Sequence, residues 1–93
     1  MPTIYYLYIL KCADDTLYTG ITVDLPRRVE EHNSSALGAK YTRGRRPVEL
    51  VFSKAFDNRS VASKEERLIK RLSRRQKLEL IGAGDFVIEG ESV

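Results

Sequence analysis

The chain has 93 residues and a formal net charge of +3, with 42% hydrophobic and 31% charged residues. This length fits one small domain, which excludes a multidomain protein. The hydrophobic residues are numerous enough to form a buried core, which excludes a disordered protein. A single cysteine and a single histidine exclude a disulfide scaffold and a cysteine-rich zinc site. No apolar run reaches the roughly 20 residues of a membrane span and the start lacks a secretion signal, so we expect a cytoplasmic protein without a membrane partner.

Charge is divided unevenly along the chain. Residues 1–77 contain all 16 Lys and Arg residues and nine acids, whereas residues 78–93 contain four acids and no Lys or Arg. Seven of the bases fall within residues 64–77, in a helical pattern, and a second group lies in a loop-like stretch. This second group consists of Lys40, Arg43, Arg45 and Arg46. Such clusters are typical of proteins that bind a phosphate backbone, although a charged helix is equally often a solvated surface.

The first 22 residues predict a β-hairpin. Residues 4–12 are rich in aromatic and branched side chains, which indicates a strand that is buried on at least one face. Asp14 and Asp15 supply a turn, and residues 17–22 predict the second strand, with Gly20 in its interior.

A helix, a loop and a third strand are predicted next. Asp24 is a suitable N-cap for a helix that ends near His32 or Asn33. Residues 34–47 combine Ser, Gly and Pro with basic residues, which is typical of a binding loop. Residues 48–56 then predict a third strand.

The remaining residues predict a helical region and a tail. Residues 59–80 carry apolar side chains at helical spacing, with Asn58 or Ser60 as the N-cap. Ser73 followed by Gln76 has the capping-box pattern, which would divide this region into two helices. The acidic tail at 82–93 is either a short strand around residues 86–88 or frayed. The predicted order ββαβα(α) is an α+β domain with a small antiparallel three-stranded sheet flanked by helices.

Polar side chains on the hairpin and the first helix are the candidates for chemistry, because the sequence has no Gly-rich phosphate loop, Ser-His-Asp set or metal-ligand cluster. Strand alternation puts Tyr6 and Tyr8 on one face, and the hairpin can bring Tyr8 beside Tyr18. Arg28 and His32 are four residues apart and share a helix face. Such tyrosines are most often core residues and such an Arg–His pair is usually surface, so these residues by themselves predict no reaction.

The order of several short motifs, however, resembles the GIY-YIG nucleases. Residues 6–12 (YLYILKC), followed ten residues after Tyr8 by Tyr18-Thr19-Gly20, resemble the paired motifs of that family. Residues 24–33 (DLPRRVEEHN) resemble its helix, in which an arginine and a following histidine are expected. The resemblance implies the family's fold and extends over about residues 4–81.

The segment after the helix continues the resemblance. Residues 38–43 (GAKYTR) and 46–48 (RPV) are similar to small stand-alone bacterial members and to the structure-specific repair nuclease. The chain departs from the family where Tyr6 replaces the first glycine, and we expect its ring to narrow the approach to the site. Both motif tyrosines and the second glycine, Gly20, are present.

The resemblance implies hydrolysis of a phosphodiester bond in nucleic acid with one divalent ion, Mg²⁺ or Mn²⁺. Glu66 is the implied metal ligand and Glu65 the alternative, because the spacing from Glu66 to Lys70 is similar to the small members. A lone carboxylate with water and phosphate oxygens suits these ions. Arg28 is the implied phosphate ligand, since its guanidinium offers a planar fork of donors.

The resemblance also implies the roles of the remaining site residues. Tyr8 is the implied general base, Tyr18 positions water or phosphate, and His32 assists proton transfer or orients Tyr8. Gly20 and Asn33 are supporting residues. An unperturbed phenol with a pKa near 10 is a poor base at neutral pH, so we expect nearby cations to depress the pKa of Tyr8.

Three classes of function follow. The first is an endonuclease that acts on DNA, including branched or flapped DNA, with RNA as an open alternative; Lys40, Arg43, Arg45 and Arg46 would contact the backbone and so favour structure over sequence. The second is a non-catalytic nucleic-acid-binding module on the same fold. The third is an adaptor that docks a protein partner through residues 64–77 and the acidic tail.

Overall fold

The computed structural model describes residues 3–34 and 36–83, and within them a three-stranded antiparallel sheet. Strands β1 (Tyr5–Lys11) and β2 (Leu17–Thr22) form the predicted hairpin, and β3 (Glu49–Phe56) pairs with the other side of β1. The sheet order is β2-β1-β3, which makes β2 an edge strand. The predicted α+β fold is confirmed.

Four helices accompany the sheet in the described part of the chain. They are α1 (Leu25–Ser34), α2 (Lys40–Arg43), α3 (Arg59–Lys70) and α4 (Arg74–Gly82). None of these helices combines the length and the apolar character that crossing a membrane requires. The tail strand predicted around residues 86–88 lies outside the described residues.

The hairpin turn has the backbone that its sequence favours. Asp15 has a φ of 68°, in the left-handed region that Asp tolerates better than most residues. The Cys12 amide donates to the Thr16 carbonyl at 2.9 Å, and the Thr16 hydroxyl donates to the Asp14 carboxylate at 2.6 Å. These bonds close the turn and fix the register of the two strands.

Side-chain caps separate the two C-terminal helices. Asn58, one of the two predicted caps of α3, accepts a hydrogen bond from the Val61 amide at 2.9 Å. Ser73 accepts from the Gln76 amide at 3.1 Å, and Gln76 accepts from the Ser73 amide at 2.9 Å. This capping box confirms the predicted division into α3 and α4.

The prediction of a loop over residues 34–47 is wrong at α2. The amides of Thr42 and Arg43 donate to the Ala39 carbonyl at 3.1 and 3.2 Å, which forms one helical turn. A single turn is too short to show helical periodicity in a sequence, so its pattern could not be distinguished from that of a loop.

The sheet separates two apolar clusters. The first lies between the sheet and α3 and consists of Leu7, Ile9, Phe52 and Ile69. The second lies on the opposite face, against α1, and consists of Tyr8, Leu10, Cys12 and Val48. Strand alternation in β1 explains this division, because successive side chains point to opposite faces. Tyr8 is thereby directed towards α1.

Candidate active site

A buried hydrogen bond between Tyr8 and His32 lies at the centre of the candidate site. Tyr8 Oη is 2.9 Å from His32 Nε2, and the two residues are 1% and 0% exposed. β1 directs Tyr8 to the α1 side of the sheet, and α1 directs His32 back to the sheet. The hairpin and the first helix therefore meet at two groups that can exchange a proton.

Gly20 provides the space for the Tyr8 ring. The two residues are cross-strand partners, and a Cβ on Gly20 would lie 2.6 Å from Tyr8 Oη and 2.8 Å from Tyr8 Cζ. Both distances are well below van der Waals contact, so a side chain at this position would displace the phenol. The supporting role expected for Gly20 thus has a steric basis.

The second motif tyrosine lies beside the first, as the predicted hairpin requires. The Tyr18 ring centroid is 6.4 Å from that of Tyr8 and 5.2 Å from that of His32. On its other side Tyr18 stacks on Tyr41 of α2, with 5.8 Å between centroids and an interplanar angle of 29°. Tyr18 therefore links the buried pair to the α2 segment.

Two hydrogen bonds from one guanidinium nitrogen hold Arg28 next to the Tyr8 phenol. Its Nη1 donates to Glu31 Oε1 and to the Leu37 carbonyl, both at 2.8 Å. The hydrogen bond from Arg28, followed by the coulombic effect of its charge, holds the pKa of the Glu31 carboxyl below its usual value. Arg28 also interacts with the Tyr8 hydroxyl and favours its ionised form, so this cation and the phenol share one site.

The protonation states at the centre differ from the sequence prediction. Burial raises the pKa of Tyr8 to about 12, and the opposing effect of Arg28 is smaller. The expected depression of this pKa is therefore wrong. Burial, followed by the positive charge of Arg28, lowers the pKa of His32 to about 4. At neutral pH the phenol keeps its proton and the neutral imidazole has one nitrogen that can accept it.

Glu66 and Glu65 have different surroundings. Glu66 is in α3, which packs against β1 and the edge strand β2, and its negative charge contributes to the raised pKa of Tyr8. Glu65 instead lines a cavity beside β3 with Ser53 and Leu80. Of the two predicted metal ligands, Glu66 is the one within electrostatic reach of the phenol.

The donor set at Glu66 fits a hard divalent ion. Its side chain is 20% exposed and Glu66 Oε2 lies 3.2 Å from Lys70 Nζ, at the predicted four-residue spacing. Residues 3–34 and 36–83 contain no group of three or more His, Cys, Asp or Glu side chains arranged to hold a metal. One carboxylate suits Mg²⁺ or Mn²⁺, which retain water ligands and accept phosphate oxygens.

Asn33 and Arg46 both attach the end of α1 to the rest of the chain. Asn33 Oδ1 accepts from the Val48 amide at 2.6 Å, and its Nδ2 donates to the Val48 carbonyl at 3.0 Å. Arg46 Nε donates to the His32 carbonyl at 2.6 Å, and its Nη2 donates to the Glu31 carbonyl at 3.3 Å. These contacts fix the position of His32 from the carbonyl end of its helix.

The four residues predicted to contact nucleic acid form two pairs with different surroundings. Lys40 and Arg43 are exposed on α2. Arg45 forms an ion pair with Asp14 at 3.0 Å, and its guanidinium lies 4.1 Å from the centroid of the Tyr41 ring. Like Arg46, it is therefore engaged within the chain, and the pair on α2 is the more available to a phosphate backbone.

Two residues of the site were missed by the sequence predictions. Thr42 is fully buried, with Oγ1 2.8 Å from His32 Nδ1. Gly38 allows its segment to approach α1, since a Cβ there would lie 2.6 Å from the Glu31 carbonyl oxygen and 2.9 Å from His32 Cα. Both lie in residues 38–43, and the similarity of this run to the small bacterial members was the signal that could have found them.

Comparison with known proteins gives matches over most of the chain. Residues 4–79 match the family profile described as the GIY-YIG catalytic domain. A UPF0213 protein of Desulfotalea psychrophila is 54% identical over 81 residues, which cover 87% of this chain and 74% of that protein. A UPF0213 protein of Natronomonas pharaonis is 53% identical over 81 residues, which cover 87% of this chain and 94% of that protein.

Solved structures show the same fold. The NMR structure of a UPF0213 protein from Bacillus halodurans has a TM-score of 0.57 and 46% identity, covering 86% of this chain and 84% of that one. The NMR structure of the protein EF2693 from E. faecalis has a TM-score of 0.61 and 38% identity, covering 98% and 96%. The sheet and its helices are therefore shared with proteins of related sequence.

Proposed function

Because the chain belongs to the GIY-YIG catalytic domain family, we propose that it is a metal-dependent endonuclease that hydrolyses phosphodiester bonds in DNA. The observation that carries the proposal is the buried hydrogen bond between Tyr8 and His32, 2.9 Å long, with Arg28 beside the phenol and the charge of Glu66 acting on its pKa. Under this proposal the base, the phosphate ligand and the metal ligand come from three separate elements.

Proton transfer from the attacking water runs through the phenol. With a pKa of about 12, Tyr8 stays protonated at neutral pH. An O–H bond of the water breaks as its proton passes to Tyr8 Oη, while the phenolic proton moves to the neutral His32 Nε2. The water oxygen forms the new bond to phosphorus as the bond to the leaving oxygen breaks, and His32 holds the proton from the phenol. The leaving oxygen departs as an alkoxide and takes a proton from solvent. The phenol therefore acts as a base without becoming a free phenolate.

Arg28 supplies positive charge for the phosphate, and Glu66 supplies a ligand for the divalent ion. The Nη1 of Arg28 is used by Glu31 and Leu37, and Arg28 also hydrogen-bonds the Tyr8 hydroxyl. Its other N–H donors can face a phosphate oxygen. Glu66 would hold the divalent ion, after exchanging its contact with Lys70. The chemistry that such an ion supplies is stabilisation of negative charge on the phosphate and the leaving oxygen.

We further propose that DNA structure, rather than sequence, selects the substrate. The exposed cations Lys40 and Arg43 would contact backbone phosphates, and such contacts carry no direct sequence information. Branched and flapped DNAs are the substrates to compare first with linear duplex, and single-stranded RNA extends the comparison.

A non-catalytic nucleic-acid-binding module is the second candidate. It is favoured by the ion pair between Glu66 and Lys70, because the carboxylate already has a counter-ion without a metal. In that case the basic surface would bind nucleic acid and the Tyr8–His32 pair would stabilise the fold.

Cleavage of a defined DNA panel tests the proposal. Branched, flapped and linear DNAs are incubated with Mg²⁺ or Mn²⁺ and the wild-type protein, Glu66→Gln or the matched neighbour Glu65→Gln. We expect metal-dependent cleavage by the wild type and by Glu65→Gln, and loss of cleavage in Glu66→Gln. Binding of the panel by the wild type without cleavage under any metal condition would favour the binding module instead.

A further inference from the structure

The hydrogen-bond chain at the site continues beyond His32 to Thr42. Thr42 Oγ1 lies 2.8 Å from His32 Nδ1 and donates to the Ala39 carbonyl at 2.9 Å. Both Thr42 and His32 are 0% exposed. One connected series of contacts thus runs from Tyr8 through both ring nitrogens of His32 to the backbone of α2.

Counting protons assigns the donors in this series. A threonine hydroxyl has one proton, and the Ala39 carbonyl can only accept it. With its proton on the Ala39 carbonyl, Thr42 Oγ1 accepts from His32 Nδ1, and Nδ1 carries the proton of the neutral imidazole. The Ala39 amide, 3.4 Å from Nδ1, would favour the opposite tautomer, but its contact is longer than that of Thr42.

The other end of the series leads to the same assignment. The Tyr8 hydroxyl is buried and its proton needs an acceptor. Within the described ranges, the acceptor in hydrogen-bond contact with Tyr8 Oη is His32 Nε2, at 2.9 Å, whereas Arg28 can only donate. Nε2 therefore carries a lone pair, which again places the imidazole proton on Nδ1.

The α2 turn that carries Thr42 is fixed on both sides. Gly38 brings the preceding segment against the backbone of α1, where a Cβ would overlap the Glu31 carbonyl oxygen. Arg45 Nη1 donates to the Tyr41 carbonyl at 2.8 Å, and the Arg45 carbonyl accepts from the Ala13 amide at 2.9 Å. These contacts tie α2 to the hairpin turn, so the Thr42 hydroxyl has a defined position beside the imidazole.

We propose that Thr42 is a positioning residue that fixes His32 in the Nδ1–H tautomer and so leaves Nε2 open to the proton of Tyr8. Its effect on rate rests on the proposed nuclease function, whereas the tautomer is a property of the folded chain. The opposite tautomer would direct an N–H at Tyr8 Oη and remove the acceptor that the proton transfer requires.

The single histidine of the chain makes the tautomer directly measurable. Long-range ¹H–¹⁵N NMR spectra of ¹⁵N-labelled protein at neutral pH distinguish a protonated from an unprotonated ring nitrogen. We expect the Nδ1–H form in the wild type and in Thr42→Ser, and a shift to the Nε2–H form in the nearly isosteric Thr42→Val. An Nε2–H wild type, or an Nδ1–H Thr42→Val, would overturn the inference. If Thr42→Val fails to fold, Thr42→Ala takes its place against Thr42→Ser.

Kinetics give the second measurement. On a cleaved DNA, we expect kcat of Thr42→Val to fall about 100-fold with little change in KM, and Thr42→Ser to restore it to within about threefold. An unchanged kcat in a variant whose tautomer has switched would refute the positioning role. Absence of cleavage by the wild type would refute the nuclease proposal, and the tautomer spectra would still decide whether Thr42 fixes the imidazole.

Discussion

Tyr8 and Gly20 face each other across β1 and β2, and the phenol occupies the space that a side chain at Gly20 would need. The tyrosine of the first motif and the glycine of the second thus form one packing unit. The glycine matters here because it has no side chain, which leaves room for the phenol that hydrogen-bonds to His32. The spacing of the two motifs is fixed by the register of the hairpin.

Gly20→Ala is expected to displace Tyr8 and destabilise the protein. The added methyl group would lie 2.6 Å from Tyr8 Oη, and such overpacking costs about 1–3 kcal/mol. Gly44→Ala is the matched control, because nothing lies within 4 Å of the added Cβ and its φ of −89° suits alanine. Urea unfolding measures both changes. Equal stability of Gly20→Ala and Gly44→Ala would contradict the steric role.

Tyr8→Phe tests the phenolic hydroxyl separately from the ring. The ring packing is retained, but His32 Nε2 loses its partner at 2.9 Å, and an unsatisfied buried acceptor costs about 1–3 kcal/mol. We expect single-turnover cleavage to fall about 10²–10⁴-fold, the range of general acid–base catalysis. Tyr6→Phe, on the same face of the same strand, is the control and should cleave normally. A Tyr8→Phe protein with wild-type cleavage would exclude the phenol as the base.

Buried neutral His32 predicts a loss of stability in mild acid. Burial, followed by the positive charges of Arg28 and Arg46 and opposed by Glu31, lowers its pKa from 6.5 to about 4. Below pH 6.5 the unfolded chain takes up a proton that the folded chain resists down to about pH 4. The free energy of unfolding should therefore fall by about 2 kcal/mol between pH 7 and pH 5.

Two measurements check this pH dependence. Urea unfolding at pH 7 and pH 5 gives the change in stability, and the chemical shift of the His32 Cε1 proton gives its pKa without ambiguity, because the chain has one histidine. A titration midpoint near 6.5 in the folded protein would show that the imidazole is not desolvated, and the stability difference should then disappear.

The sequence predicted those parts of the fold that local patterns determine. The hairpin follows from branched and aromatic residues around an Asp-Asp turn, and the break between α3 and α4 follows from the Ser73–Gln76 capping box. The single turn of α2 leaves no periodic pattern. Its position depends on long-range contacts such as Gly38 against α1, which local propensity does not contain.

The candidate site was likewise predictable only where local patterns determine it. Alternation and hairpin pairing placed Tyr8 beside Tyr18. Thr42 was not found, because only the folded chain brings its hydroxyl to His32 Nδ1. An arginine in the sequence likewise does not show whether its guanidinium is exposed or, like that of Arg46, hydrogen-bonded to backbone carbonyls.

The two pairs of basic residues should separate binding from stability. Lys40 and Arg43 are exposed, so replacing each by Ala should weaken DNA binding and reduce the slope of log affinity against log salt by about 1, with little change in Tm. Arg45 and Arg46 hold Asp14 and the end of α1, so replacing either by Ala should lower Tm by several degrees, at roughly 4–8 °C per kcal/mol. Fluorescence anisotropy over a salt series and thermal unfolding measure the two effects. A lower Tm with an unchanged salt slope in Lys40→Ala and Arg43→Ala would reverse the assignment and place the backbone contacts elsewhere on the protein.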